Sequence, residues 1–167
     1  MRSRLLRVVL VATPVFFLTG CRQGDGPLPP ADSNAQEDMK DIARGLTYIA
    51  EGYEPAVAPK EFADDLRKYA TPGNVVPAVD ELSRRTSQAI AKRNLPVETA
   101  QRLSRTLWLT VESHDLSERQ IEGLQNDAQS LLMSIGVAEP EAQQVAAQVG
   151  EVQKIVTTRT RRWYEWF

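Results

Sequence analysis

Two residue types that commonly bind metals or perform catalysis are almost missing from this chain. Its 167 residues include one cysteine, Cys21, and one histidine, His114. A single cysteine excludes a disulfide within the chain, and zinc needs three or four spaced ligands. His114 is expected near a helix end, where a histidine is usually solvated. We therefore predict no catalytic residue, no metal site and no cofactor, and the chain is not expected to be an enzyme.

Positive charge is also scarce. The 20 lysines and arginines are outnumbered by 22 acidic residues, which gives a formal net charge of -2. Residues 1–20 contain three arginines and no acidic residue, so their removal would change the charge from -2 to -5. An acidic domain repels the phosphate backbone, and we therefore predict that nucleic acid is not a partner.

The sequence lacks an apolar run long enough for a permanent transmembrane helix. Its most apolar stretch, residues 8–18, follows Arg2, Arg4 and Arg7. A membrane-spanning helix needs about 20 apolar residues, whereas a basic start followed by a shorter apolar stretch is typical of an export signal. We interpret residues 1–20 as a signal peptide that is removed.

The end of this leader reads Leu18-Thr19-Gly20-Cys21. It resembles the lipobox of bacterial lipoprotein precursors, in which signal peptidase II cleaves before a cysteine that carries diacylglycerol. The resemblance implies peptidase recognition of Leu18, Thr19 and Gly20, lipidation of Cys21, and anchoring in the cell membrane or outer membrane, facing the periplasm or exterior. Arg22, where an aspartate would retain the protein in the inner membrane, favours the outer membrane. The alternative is a free, buried thiol beside an ordinary cleavage site.

A segment rich in glycine and proline follows the leader. Residues 21–36 contain almost no large apolar side chain, so they cannot bury enough surface to offset the entropy lost on ordering. We predict a lipidated, flexible tether over residues 21–36 and one folded domain over residues 37–167, stabilised by apolar packing.

Apolar residues recur at spacings of three and four through this domain and predict helices. The first helix carries seven of them on one face: Met39, Ile42, Ala43, Leu46, Ile49, Ala50 and Tyr53. A short helix with Phe62, Leu66 and Tyr69 comes next. The third helix, from about residue 76 to 93, directs five residues inward: Val79, Leu82, Thr86, Ala89 and Ile90. We predict an all-α fold, an up-and-down bundle of five or six helices behind the tether, with a solenoid as the alternative.

Residues 94–114, 115–135 and 136–156 align without gaps at a period of 21 residues. Each block is predicted to hold one helix and one tight turn, with Asn94 and Gly136 in the left-handed conformation that ends a helix. Core candidates occupy matching positions: Ala100, Ile121 and Ala142; Leu103, Leu124 and Val145; Leu107, Ala128 and Val149. An internal duplication would explain the period, but 21 residues are also three heptads of an ordinary amphipathic pattern.

Charged and amide side chains are expected to face solvent. The carboxylates of the first two helices suit helix starts and solvated faces: Glu37, Asp38, Asp41, Asp64 and Asp65. Seven glutamines are expected to be mostly solvent-facing as well: Gln101, Gln120, Gln125, Gln129, Gln143, Gln144 and Gln148.

The last predicted helix begins near Glu139 and is the longest. Its apolar stripe consists of Val145, Val149, Val152 and Val156. It continues into a basic and aromatic segment whose candidate membrane or partner contacts are Arg161, Arg162, Trp163, Tyr164, Trp166 and Phe167. These aromatic residues either complete the stripe and pack on the first helices, or remain exposed and contact lipid headgroups or a partner protein.

One short motif resembles a family of periplasmic proteins. Residues 116–120, LSERQ, are similar to the Leu-Thr-x-x-Gln motif at helix starts in the Spy and CpxP family. Ser117 and Gln120 also fit a capping box. The resemblance implies a chaperone or an envelope-stress sensor, and no functional residue is carried over from it. We predict a non-catalytic lipoprotein that binds or scaffolds an envelope protein, with the chaperone or sensor as the alternative.

Overall fold

The structure is a computed structural model that describes residues 33–70, 75–112 and 116–164, apart from the side chains of residues 33 and 158–164. In these residues the chain forms six α-helices: α1 Ser33–Glu51, α2 Ala58–Tyr69, α3 Val76–Ile90, α4 Val97–Glu112, α5 Glu118–Ser134 and α6 Glu139–Tyr164. The described residues contain no β-strand, so the predicted all-α class is confirmed. No helix of the described ranges is long and apolar enough to cross a membrane.

The folded domain begins earlier than the sequence predicts. Residues 33–36 form the first turn of α1 instead of the end of the tether, and Ala35 is only 4% exposed. Ala35 lies seven residues before the buried Ile42, which puts both side chains on the same helix face. A single small residue is a weak hydrophobic signal, and for this reason the predicted boundary at residue 37 was four residues too late.

Contacts between distant helices join the two halves of the chain. Consecutive helices pack together within α1–α3 and within α4–α6, while α1 also packs on α4 and α3 on α6. In a solenoid each unit would contact only its neighbours in sequence. The contacts of α1 with α4 and of α3 with α6 therefore exclude the solenoid, and the described chain is a helical bundle.

Most positions on the predicted apolar faces are buried in the core. Tyr53, predicted on the inward face of the first helix, is an exception, because it follows the end of α1 and is 55% exposed. All five inward positions of α3 are buried, as are the four valines of the α6 stripe. Of the nine matching positions in the 21-residue blocks, eight are buried, and Ile121 is partly buried against the core. The period therefore identifies core residues, whichever origin it has.

Turn geometry agrees with the prediction at one helix end and differs at another. Gly136 follows α5 with a φ of 82°, and the Val137 amide donates to the Leu132 carbonyl at 3.1 Å. This is the Schellman arrangement, in which a left-handed glycine closes the helix. After α3 the left-handed residue is Lys92, with a φ of 59°, and not Asn94, because α3 ends earlier than predicted.

The predicted capping box begins α5. The Ser117 hydroxyl accepts a hydrogen bond from the backbone amide of Gln120 at 3.3 Å, and the Gln120 side-chain oxygen accepts one from the backbone amide of Ser117 at 2.9 Å. Two amide groups that have no partner within the helix are satisfied in this way.

Glutamine side chains connect helices, which corrects part of the sequence prediction. Gln125 Nε2 donates to the Ala146 carbonyl and Gln148 Nε2 to the Ala78 carbonyl, both at 3.1 Å. A Cβ atom at Gly150 would collide with the Gln125 amide, so the small residues of α6 let this side chain approach the backbone. Gln125 and Gln148 are therefore half-buried links between helices and do not simply face solvent.

Gln153 forms a further link that the sequence analysis missed. Its side chain is fully buried in α6, and its Nε2 donates to the Thr110 carbonyl at 2.5 Å and the Leu109 carbonyl at 3.3 Å. The last four carbonyls of a helix have no intrahelical partner. Gln153 of α6 therefore provides a hydrogen-bond donor to two carbonyls at the C-terminal end of α4.

Arg93 fastens the end of α3 to the turn between α5 and α6. Its Nε donates to the Ala89 carbonyl at 2.9 Å, and its Nη1 donates to the Gly136 carbonyl. Its Nη2 lies 3.7 Å from the Glu141 carboxylate of α6. Three helix ends are thus joined through one guanidinium group.

Candidate functional site

The structure does not describe the side chains of the residues that the sequence predicts for lipidation, peptidase recognition and membrane or partner contact. Like His114, six of them belong to no described range: Leu18, Thr19, Gly20, Cys21, Trp166 and Phe167. The backbone of Arg161, Arg162, Trp163 and Tyr164 forms the end of α6, but their side chains are outside the description. Lipidation of Cys21 and the role of the C-terminal aromatic segment therefore stay predictions.

Three of the carboxylates predicted at helix starts or on solvated faces lie well after the first turn of α1 or α2, where they form ion pairs on the surface. Asp41, Asp64 and Asp65 each pair with the basic residue three positions later, at 3.3, 2.5 and 2.5 Å. Arg67 also reaches Asp80 of α3 at 2.5 Å, and this hydrogen bond raises the pKa of Arg67 above its ordinary value. Among the described residues, no three His, Cys, Asp or Glu side chains converge as a metal site would require.

Among the carboxylates of the described residues, Glu81 of α3 has the most strongly shifted pKa. Hydrogen bonds from Arg84 and, secondarily, from Arg85 lower the pKa of Glu81 from 4.5 to about 2. Arg85 Nη1 also donates a hydrogen bond to Gln144 Oε1 of α6 at 3.0 Å. Since this pKa is depressed, the stabilising contribution of the carboxylate is complete above pH 4.5 and is lost as the pH falls toward 2. The group remains charged near neutral pH and acts as a structural link.

An open groove runs along the surface between α1 and α4 and encloses about 530 Å³. Its α1 wall has residues at helical spacings of three and four: Gln36, Met39, Lys40, Ala43, Arg44 and Thr47. Its α4 wall repeats that spacing: Val97, Ala100, Gln101, Ser104 and Arg105. The lining is mostly apolar, and one rim residue, Val97, is 70% exposed. Covering an apolar surface of this kind with a ligand removes it from water and lowers the free energy of the complex.

The charged residues that line this groove are all basic. Lys40, Arg44 and Arg105 line it, and no carboxylate does. Arg44 pairs with Asp41 at 3.3 Å on the exposed side of α1. Within the described ranges Lys40 and Arg105 have no ion-pair partner. Two cations are therefore available to a ligand that enters the groove.

A smaller cavity lies on the other side of α4, against α5. It encloses about 350 Å³ and is lined by residues that include Arg102, Arg105, Leu109 and Asp127. Its walls carry charges of both signs and a smaller share of apolar surface. Arg105 borders both cavities, but the α1–α4 groove combines a longer apolar floor with charge of one sign, and it is the better candidate for a binding site.

Part of the groove could be anticipated from the sequence. Met39 and Ala43 were predicted to face inward with Ile42 and Leu46, whereas the structure leaves them half-buried at the groove floor. Lys40 lies beside these residues in the sequence and could have indicated their exposure. A lysine at the edge of an apolar stripe marks the point where neighbouring helices no longer cover that face.

Comparisons with family models, with curated proteins and with solved structures found no match to this chain. The proposed binding role therefore rests on the chemistry of the groove.

Proposed function

We propose that this protein is a membrane-anchored bacterial envelope lipoprotein whose helical domain binds or scaffolds another envelope protein without catalysis. The observation that carries the binding role is the open, mostly apolar α1–α4 groove with its unpaired cations among the described residues. The leader and the sequence Leu18-Thr19-Gly20-Cys21 support the anchor.

The position of the groove in the chain fits a domain that works close to the membrane. Residues 22–32 separate Cys21 from α1, and eleven residues reach at most about 40 Å when fully extended. The groove starts at Gln36, one turn into α1. A protein bound there would be held within reach of the membrane that carries the lipid, and acyl chains provide durable anchoring when two or more are attached.

The anchor is tested by the mass of the chain isolated from the envelope. We expect a protein that lacks residues 1–20 and carries diacylglycerol on Cys21, and we expect Cys21→Ala, which the peptidase would not cleave, to keep residues 1–20 and to carry no lipid. The matched control is Ser130→Ala, a change at an exposed position of α5, which should be cleaved and lipidated like wild type. An unmodified Cys21 thiol, or removal of residues 1–20 from Cys21→Ala, would contradict the proposal.

A further inference from the structure

We infer that the α1–α4 groove binds a short amphipathic helix of a partner protein that carries acidic side chains along its flanks. This inference rests on the proposed binding function and specifies the chemistry of the partner. Its grounds are the shape of the groove, the small side chains in its lining and the sign of its rim charges.

The groove has the dimensions of a short helix. Its α1 wall extends from Gln36 to Thr47 and its α4 wall from Val97 to Arg105, which at 1.5 Å per residue corresponds to about 17 and 12 Å. Those lengths match two to three helical turns. A helix laid between two others would present apolar residues at positions i, i+3, i+4 and i+7, the usual anchors of helix-in-groove recognition.

Four of the lining side chains are small, which would let a third helix approach closely. Ala43 and Thr47 come from α1, and Ala100 and Ser104 from α4. Packed helix axes lie about 8–10 Å apart, and the smaller distances require small residues at the contact. The larger apolar side chains in the lining, Met39 and Val97, would pack against the anchors of the incoming helix.

The rim charges select an acidic occupant. Lys40 and Arg105 are exposed and have no ion-pair partner among the described residues, and no carboxylate lines the groove. The groove lining is therefore positive although the whole chain has a formal net charge of -2. Complementary charges speed association and disfavour partners of the wrong sign. Glutamate or aspartate on both flanks of the bound helix would meet Lys40 on one wall and Arg105 on the other.

Two other anionic occupants fit less well. The groove is open along its length, so a hydrocarbon chain placed in it would leave much of its surface in water. A bilayer surface is broad, and it would touch the rim cations without covering the recessed Ala43 and Ala100. A helix satisfies both requirements, because one face covers the floor while its flanks reach the rim.

The test uses the full chain and a fluorescent peptide of about 14 residues, long enough to form a helix, with leucines at i, i+3, i+4 and i+7 and glutamates on the flanks. A second peptide has lysines in place of the glutamates. Binding is followed by fluorescence anisotropy for wild type, for Lys40→Glu/Arg105→Glu, and for Arg119→Glu, an exposed charge reversal on α5 outside the groove. The chain is held in zwitterionic nanodiscs, since detergent would enter an apolar groove.

We expect the acidic peptide to bind wild type about tenfold more tightly than the basic one, and the double variant to reverse that preference. Arg119→Glu should bind like wild type, and affinity should fall as salt is raised. Equal binding of both peptides, or an unchanged preference in the double variant, overturns the inference. So does binding of anionic vesicles without the peptide, or of an unfolded apolar client regardless of its charge. The state of Cys21 is read separately by mass, so failure of the anchor and failure of the groove give different results.

Discussion

Replacing Gln153 with glutamate should lower the free energy of unfolding by about 3–5 kcal/mol at pH 7, because it places a buried negative charge against carbonyl oxygens. Gln153 is fully buried, and its Nε2 donates to the carbonyls of Leu109 and Thr110. A carboxylate cannot donate, so Gln153→Glu would place a negative charge against two carbonyl oxygens. Urea unfolding followed by circular dichroism measures the loss.

The loss should shrink as the pH falls. Burial raises the pKa of the introduced carboxyl above its value in the unfolded chain, so the loss is complete above the folded-state pKa and fades as the pH approaches the unfolded-state pKa. The control, Gln143→Glu at an exposed position of α6, should change stability by no more than about 0.5 kcal/mol. An equal loss at pH 4 and pH 7 for Gln153→Glu would contradict the buried link between α6 and α4.

The second large effect is expected for Phe62→Ala, which should lower the free energy of unfolding by about 3–5 kcal/mol. Phe62 is 0% exposed in α2. A Cβ atom on Gly45 of α1 would lie 3.4 Å from the Phe62 Cβ, so the two helices pack closely at this point. Removal of the ring leaves a cavity that the rigid helices close only in part, and the urea midpoint reports the difference.

A surface methionine provides the comparison for Phe62. Met133 of α5 is 43% exposed, and Met133→Ala should stay within about 0.5 kcal/mol of wild type. If both variants lost the same small amount, Phe62 would not lie in the core and α2 would not be docked against α1.

Helix positions and most of the core could be predicted from the sequence, because local signals and long-range packing agree there. The inward face of α3 follows the spacing of its apolar residues, and Pro77 suits its first turn. Ser117 and Gln120 predicted the start of α5 through a reciprocal pair of hydrogen bonds that needs no other helix. Such features depend on residues only a few positions apart.

The groove and the buried amide could not be predicted in the same way, because both depend on which neighbour covers a face. Met39 and Ala43 share the apolar face of α1 with Ile42, and periodicity does not tell how far the covering helix extends. Gln153 follows Val149 by four residues and precedes Val156 by three, so the spacing placed it on the buried stripe. Burial of a polar side chain is unfavourable unless it has hydrogen-bond partners, and the carbonyls at the end of α4 that provide them come from a distant part of the sequence.

Site-specific photo-crosslinking from the groove tests the central claim most directly, namely that this domain binds a protein partner through α1 and α4 while anchored at the membrane. A photoreactive residue replaces Val97, 70% exposed at the groove rim, in the full chain in its native envelope. The control places the same group at Arg119 of α5, which does not line the groove.

We expect crosslinks from position 97, and not from position 119, to one protein segment that carries acidic residues on an amphipathic helix. Lys40→Glu/Arg105→Glu should abolish that product, because the two cations of the groove rim are reversed. Equal crosslinking from both positions, a product that consists of lipid, or a product that survives the charge reversal would contradict the account.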